Sequence, residues 1–250
     1  MRKRLIGASI VLIYALLMVI SPQNIYIALV YLLGTAVLNE VLEMFKLNTI
    51  PVASVILFSL LYYAGVSFSS LYLLIPTAAA VFLFAYFLIS EGKVPEVFWT
   101  FTGVFIYIIM GFISIGKLSK PYFLLLLSIV WSTDTFAYLV GKYFGRKKLL
   151  PQISPKKTVE GAIGGSIGGV LISYILGQKI GILEGNIAEI VTLLTLTVIA
   201  QLGDLMESFL KRRAGVKDSG NLIPGHGGVF DRLDSTIAVA PFLAVFGGLQ

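Results

Sequence analysis

Long apolar runs separated by short polar breaks fill the chain from end to end. A helix needs about 20 apolar residues to cross the hydrocarbon of a bilayer, and somewhat fewer when flanking side chains reach toward water. That ruler predicts nine spans: Leu5 to Ile20, Ile25 to Phe45, Ile50 to Gly65, Phe68 to Ser90, Val97 to Gly116, Pro121 to Gly141, Val159 to Gly177, Ile187 to Leu210, and Leu233 to Leu249. The expected fold is all-α, a polytopic integral membrane helical bundle of about nine transmembrane helices. The first run has the basic start of a signal peptide, but it passes into Ser21-Pro22-Gln23-Asn24 without a small-residue cleavage pattern. It is expected to stay as a span.

Composition narrows the class further. The chain is 57% hydrophobic and 13% charged, with a mean hydropathy of +0.92, against roughly 25% charged residues in a soluble domain. A soluble fold is excluded on that basis. With no cysteine, neither a disulfide framework nor a thiolate metal site nor a cysteine nucleophile is available. The net charge of +6 fits lipid headgroups and orientation better than nucleic acid, and no nucleic-acid partner is expected.

With the amino terminus placed in the cytoplasm, 16 of the 19 basic residues fall on inner segments, and only Lys117, Lys120 and Lys179 fall outside. Basic residues concentrate in cytoplasmic loops, so the distribution predicts the orientation and supports the count of nine. Two inner loops are long, 142–158 and 211–232, and long loops in compact proteins tend to carry function. Between them, Gly161, Gly165 and Gly169 recur at helical spacing beside Gly164 and Gly168, which suits close helix packing or a lipid-lined pocket.

Acids inside spans are costly and need a reason. Glu40 and Glu43 lie near one end of the second span, where a solvated or ion-paired face is expected. Asp134 lies within the sixth span and reads as functional. In the segment QLGDLMESFLKRR, Asp204, Glu207, Ser208 and Lys211 share one helix face. Glu207 and Lys211 at that spacing also read as a simple internal ion pair. The loop NLIPGHGGVFDRLD combines Pro224 with Gly225, Gly227 and Gly228, so its backbone N–H groups are approachable and suited to phosphate. Asp231 and Asp234, a helical turn apart, can face one cation. His226, the single histidine, reads as a hydrogen-bond donor, since a zinc site would need more soft ligands. Carboxylate oxygens instead suit a hard cation, Mg²⁺ above all.

The run SFLKRRAGVKDSGNLIPGHGGVFDRLD, Ser208 to Asp234, resembles the hallmark segment of the CDP-diacylglycerol synthase family, the phosphatidate cytidylyltransferases. The upstream segments DTFAYLVGK from Asp134 and ISPKKTVEG from Ile153 are similar to the same family. The likeness covers about Trp131 to Asp234, and the preceding 120 residues match only as hydrophobic spans. Residues 1–120 are accordingly expected to be scaffold helices that face lipid or a dimer partner, and 121–250 the catalytic region with both long loops.

The resemblance implies that CTP and phosphatidic acid react to CDP-diacylglycerol and pyrophosphate with a divalent metal, Mg²⁺, the number of ions being left open. On that basis Asp204, Asp231 and Asp234 are expected as metal ligands, with Asp218 next. Lys211, Arg212 and Lys217 are expected to hold phosphate. Ser154, Lys157, Thr158 and Glu160 are expected to close the site over substrate, joined by Ser208, His226 and Arg232. A multi-pass protein of the plasma membrane, working at the cytoplasmic face of the lipid bilayer as a homodimer, completes the expectation. A cytidylyltransferase for another lipid phosphate, a CTP-dependent lipid kinase, and a transporter whose ion path uses Asp134 and Asp204 remain open alternatives.

Overall fold

The computed structural model describes residues 2–47, 51–68 and 96–247. Among these the chain forms eight helices and a small hairpin: α1 Arg2–Ile20, α2 Gln23–Met44, α3 Pro51–Ser67, α4 Glu96–Lys117, α5 Lys120–Phe144, β1 Lys148–Leu150, β2 Ser154–Thr158, α6 Val159–Lys179, α7 Ile187–Arg213 and α8 Phe230–Phe246. Five of them contain a stretch long and apolar enough to cross a membrane, Gln23–Met44, Thr100–Lys117, Lys120–Phe144, Val159–Lys179 and Ile187–Arg213; Leu5–Ile20 and Val52–Ser67 are shorter apolar helices. The fold is a polytopic membrane helical one, and the count of about nine spans is roughly matched. The expected fourth span, Phe68 to Ser90, lies beyond its first residue outside the described residues, as does Lys93.

Two departures from the expected boundaries bear on function. Helix α5 runs past Gly141 to Phe144 and α7 past Leu210 to Arg213. Hydropathy marks where an apolar run ends, whereas helical backbone hydrogen bonding continues beyond it, helped here by Lys211, Arg212 and Arg213 at the negative end of the α7 dipole. The loop after α5 also pairs with itself. Strands β1 and β2 are antiparallel with Lys148 opposite Thr158 and Leu150 opposite Ser154, around a turn closed by Ile153 N–H on Leu150 O at 3.2 Å.

The chain divides into two compact units, Met1–Lys117 with Asp218–Asp231, and Leu118–Lys217 with Arg232–Gln250. In the first, the core of α2, α3 and α4 is aromatic: Tyr26, Phe58, Tyr62 and Phe112 are fully buried. Gly34 of α2 leaves room for the Phe58 ring, which meets Phe112 edge-on. Hydroxyls in an apolar interior need acceptors. Tyr26 donates to Ile115 O at 2.6 Å, Tyr62 to Ile27 O at 2.9 Å, and Tyr14 to Leu29 O at 2.8 Å.

In the second unit, the glycine row of α6 packs on α5. A Cβ at Gly165 would lie 2.8 Å from Ala137 Cβ and 2.9 Å from Thr133 O, one at Gly164 would meet the Val140 side chain, and one at Gly168 would meet the Phe136 ring. Small residues thus let the two backbones approach. Thr158 caps α6 by accepting Gly161 N–H at 3.1 Å. Asn186 and Glu189 form a reciprocal capping box at the start of α7.

Candidate active site

Helix α7 carries Asp204 and Glu207 three residues apart, hence on one face. Asp234 of α8 joins them: one carboxylate oxygen of each lies within 4.8 Å of the others. Gly203 permits this approach, since a Cβ there would stand 2.6 Å from Ala238 Cβ and 2.9 Å from Asp234 O. Ser235 Oγ ties α8 to α7 by donating to Ala200 O at 2.9 Å. Glu207 is 2% exposed and Asp234 9%.

Two ammonium groups meet the cluster. Lys211, one turn beyond Glu207, stands 2.7 Å from its Oε2. Lys157, delivered by strand β2, pairs with Asp204 Oδ2. Three carboxylates and two ammonium groups carry a formal net charge of −1, and the ligand atoms are hard oxygens of the kind Mg²⁺ takes.

Asp204 and Lys157 line a cavity of about 310 Å³ whose wall also includes Asp134, Lys142, Lys156 and Gln201, with Ala137, Tyr138, Gly141, Leu149, Gly161 and Ala162 as its more apolar part. Gln201 is held by its side-chain amide, which donates to Ser166 Oγ at 2.9 Å and to Ala162 O at 3.2 Å. The hairpin edging this cavity is fixed at its base by Glu160, which accepts the N–H groups of Arg146 at 3.0 Å and Lys147 at 3.2 Å.

The first unit holds the glycine loop. Gly225 and Gly227 adopt φ of 73° and 83°, a region that residues with a Cβ rarely enter. Ile223 N–H donates to Gly227 O and His226 N–H to Ile223 O, each at 3.0 Å. Asp231 Oδ2 accepts Gly228 N–H at 2.8 Å, Ser219 N–H at 2.9 Å and lies 3.0 Å from Ser219 Oγ. Gly7 of α1 leaves space for Pro224 and His226.

Of the residues singled out in the sequence, Asp204, Asp234, Lys157 and Lys211 meet in one centre. Thr158 and Glu160 spend their side-chain oxygens on backbone N–H groups. Ser154 lies in β2, Ser208 on α7, and Arg212 reaches Ile153 O with Nε at 3.5 Å. Lys217, Asp218 and Arg232 are exposed; Asp218, His226 and Asp231 belong to the first unit. Glu207 enters the carboxylate centre although its spacing to Lys211 also suits an ordinary ion pair. Glu40 was expected on a solvated or ion-paired face but is buried, 6% exposed, and accepts the N–H groups of Val229 and Phe230. An acid one or two turns inside the end of a span looks the same in sequence in either situation.

Fold and centre define a helical membrane protein with a carboxylate and lysine cluster at the edge of a mainly apolar cavity that also carries charged side chains. The profile of the Cytidylyltransferase family matches residues 2–249, and the chain belongs to that family of nucleotidyltransferases. It is similar to the phosphatidate cytidylyltransferase of Bacillus subtilis (strain 168), 33% identical over 258 residues that cover 97% of this chain and 96% of the relative. It is also similar to that of Staphylococcus saprophyticus, 34% identical over 98% of each chain. The phosphatidate cytidylyltransferase of Brucella abortus (strain 2308) is 44% identical over 128 residues, half of this chain and 46% of the relative.

Proposed function

We propose that the chain joins CTP to phosphatidic acid, giving CDP-diacylglycerol and pyrophosphate, at the cytoplasmic face of the plasma membrane, with Mg²⁺ held by Asp204, Glu207 and Asp234. The observation that carries this reading is the convergence of those three carboxylates beside Lys157 and Lys211, in a chain whose full-length relatives bear that activity in their names.

In this reaction a lipid phosphate oxygen bonds to the α-phosphorus of CTP and the bond to the β-phosphate oxygen breaks, so pyrophosphate leaves with the electron pair. A phosphate monoester has its second pKa near 6, so the nucleophile is already largely ionised at neutral pH. The barrier is instead the approach of two anions. Two unit charges 4 Å apart repel by about 4 kcal/mol at an effective dielectric near 20, close to a thousandfold in rate. Mg²⁺, when bound, neutralises phosphate charge and orients the triphosphate.

Lys157 and Lys211, which rest against Asp204 and Glu207, are placed to turn to phosphate oxygens when those carboxylates take a cation. Lys142 and Lys156 at the cavity wall attract the headgroup, and Ala137, Gly141 and Ala162 take its apolar neighbour. Asp231 and Asp218 are proposed as further metal ligands, and Lys217, Arg212, Arg232 and His226 as phosphate contacts. Ser154 and Ser208 are proposed as substrate contacts, and Thr158 and Glu160 hold the hairpin that carries Lys157. The helices of residues 1–120 act as scaffold in a homodimer.

The test is product formation by the purified protein in detergent with CTP, phosphatidic acid and Mg²⁺. CDP-lipid and pyrophosphate are expected in equal amounts. Release of CDP with phosphorylated lipid would mark a kinase, and no nucleotide turnover would mark a transporter.

A further inference from the structure

Glu40 lies in the last turns of α2, in the same unit as the glycine loop. Its Oε1 accepts Val229 N–H at 2.7 Å, and its Oε2 accepts Phe230 N–H at 2.9 Å and stands 3.0 Å from Ser219 Oγ. Val229 and Phe230 lie at the N-terminus of α8, where N–H groups have no acceptor inside their own helix. The Ser219 hydroxyl is equally near Asp231 Oδ2, at 3.0 Å. Its single proton therefore serves one carboxylate or the other, and it links the two.

The loop is shaped around this acid. A Cβ at Gly220 would stand 2.8 Å from Glu40 Oε1, and one at Gly228 would run into Glu40 Oε2 and Ser219 Oγ. The carboxylate fills the space that a side chain at either glycine would need. A buried carboxylate is costly unless donors surround it, and here Ser219 Oγ and the N–H groups of Val229 and Phe230 surround it from the glycine loop and the helix start that follows. Removing it leaves two buried N–H groups without their acceptor.

We propose that Glu40 is a positioning residue for cytidylyl transfer, gripping Ser219, Val229 and Phe230 so that the glycine loop and the first turn of α8, with Asp231, hold one conformation. The proposal rests on the cytidylyltransferase reading above. It acts through the loop, so its signature differs from that of a lost substrate contact: the loop must loosen before catalysis suffers.

The test uses the full chain in detergent micelles, with Glu40→Ala, Glu40→Gln, Glu40→Asp and, as control, Glu43→Gln at the exposed neighbour one turn on. Hydrogen exchange by mass spectrometry and steady-state kinetics with CTP, phosphatidic acid and Mg²⁺ are measured on each. In Glu40→Ala, peptides covering 218–231 should exchange at least about tenfold faster while those of α2 and α4 keep their rates, and kcat/KM for CTP should fall about tenfold to a hundredfold. Glu40→Gln, which keeps one acceptor oxygen, should fall between, and Glu43→Gln should match wild type. Unchanged exchange of the loop in Glu40→Ala overturns the grip. Faster loop exchange with wild-type kinetics overturns the positioning role while leaving the reaction intact. A wild-type protein that makes no CDP-lipid overturns the functional reading itself, whatever the loop does.

Discussion

Lys211 Nζ stands 2.7 Å from Oε2 of Glu207, a carboxylate 2% exposed within α7. The pair joins a nearly buried acid to the basic turn that ends the helix, so Lys211 has a structural task besides the phosphate contact proposed for it. Lys211→Ala should therefore cost stability, about 1.5 to 3 kcal/mol, together with activity. Lys217→Ala, at an exposed position, should weaken apparent substrate affinity and leave stability unchanged. Thermal unfolding and kinetics of both variants check this; equal melting points for Lys211→Ala and wild type would contradict it.

Lys157 brings the hairpin to Asp204. Replacing it by Ala should lower turnover by about tenfold or more, the effect of one charge-assisted contact, whereas Lys156→Ala, on the exposed side of the same strand, should alter mainly apparent affinity. Matching turnover in the two variants would show that the ion pair with Asp204 carries no catalytic weight.

Gly203 sets the approach of α7 and α8 within the second unit. A methyl group there meets Ala238 Cβ at 2.6 Å and Asp234 O at 2.9 Å, so Gly203→Ala should cost about 1 to 3 kcal/mol by overpacking and move Asp234 away from Asp204. Activity should fall more than stability does. Gly103→Ala in α4, where a Cβ meets nothing within 4 Å, should be neutral or stabilising by up to about 1 kcal/mol through helix propensity.

The basic-residue asymmetry predicts topology. A reporter fused after Lys148 or Lys217 should read cytoplasmic, and one inserted near Lys179 external. A reporter at Lys217 that reads external would remove the loop from cytosolic CTP.

Much of this was legible in the sequence because membrane helices are governed by length and hydropathy. The glycine row of α6, the shared face of Asp204, Glu207 and Lys211, and the turn-rich segment after Lys217 all follow from local spacing. What was not legible depends on partners distant in sequence. Glu40 lies 189 and 190 positions from Val229 and Phe230, and no pattern within α2 distinguishes a carboxylate facing water from one facing loop amides. The β1–β2 hairpin was hidden for a related reason. A run such as SPKKT has no hydrophobic alternation, and its pairing is set by the turn at Pro151 and by Glu160 holding the N–H groups of Arg146 and Lys147. The ends of α5 and α7 run past their apolar stretches, where hydropathy stops reporting on the backbone.

The measurement that bears most directly on the account is the Mg²⁺ dependence of CDP-lipid formation at several pH values for wild type, Asp204→Asn, Asp234→Asn and Asp231→Asn. If Asp204 and Asp234 hold the ion, both Asn variants should lose most activity and need more Mg²⁺ for half-activation, and added Mg²⁺ should restore part of the rate. Asp231→Asn should behave likewise if Asp231 is a ligand, and should lose activity at unchanged Mg²⁺ dependence if its task is to hold Ser219 and Gly228. Because the attacking phosphate is already ionised near neutral pH, raising the pH should rescue none of them, whereas a missing general base would be partly bypassed. Unchanged Mg²⁺ dependence in Asp204→Asn and Asp234→Asn, with activity regained by pH alone, would contradict the metal centre.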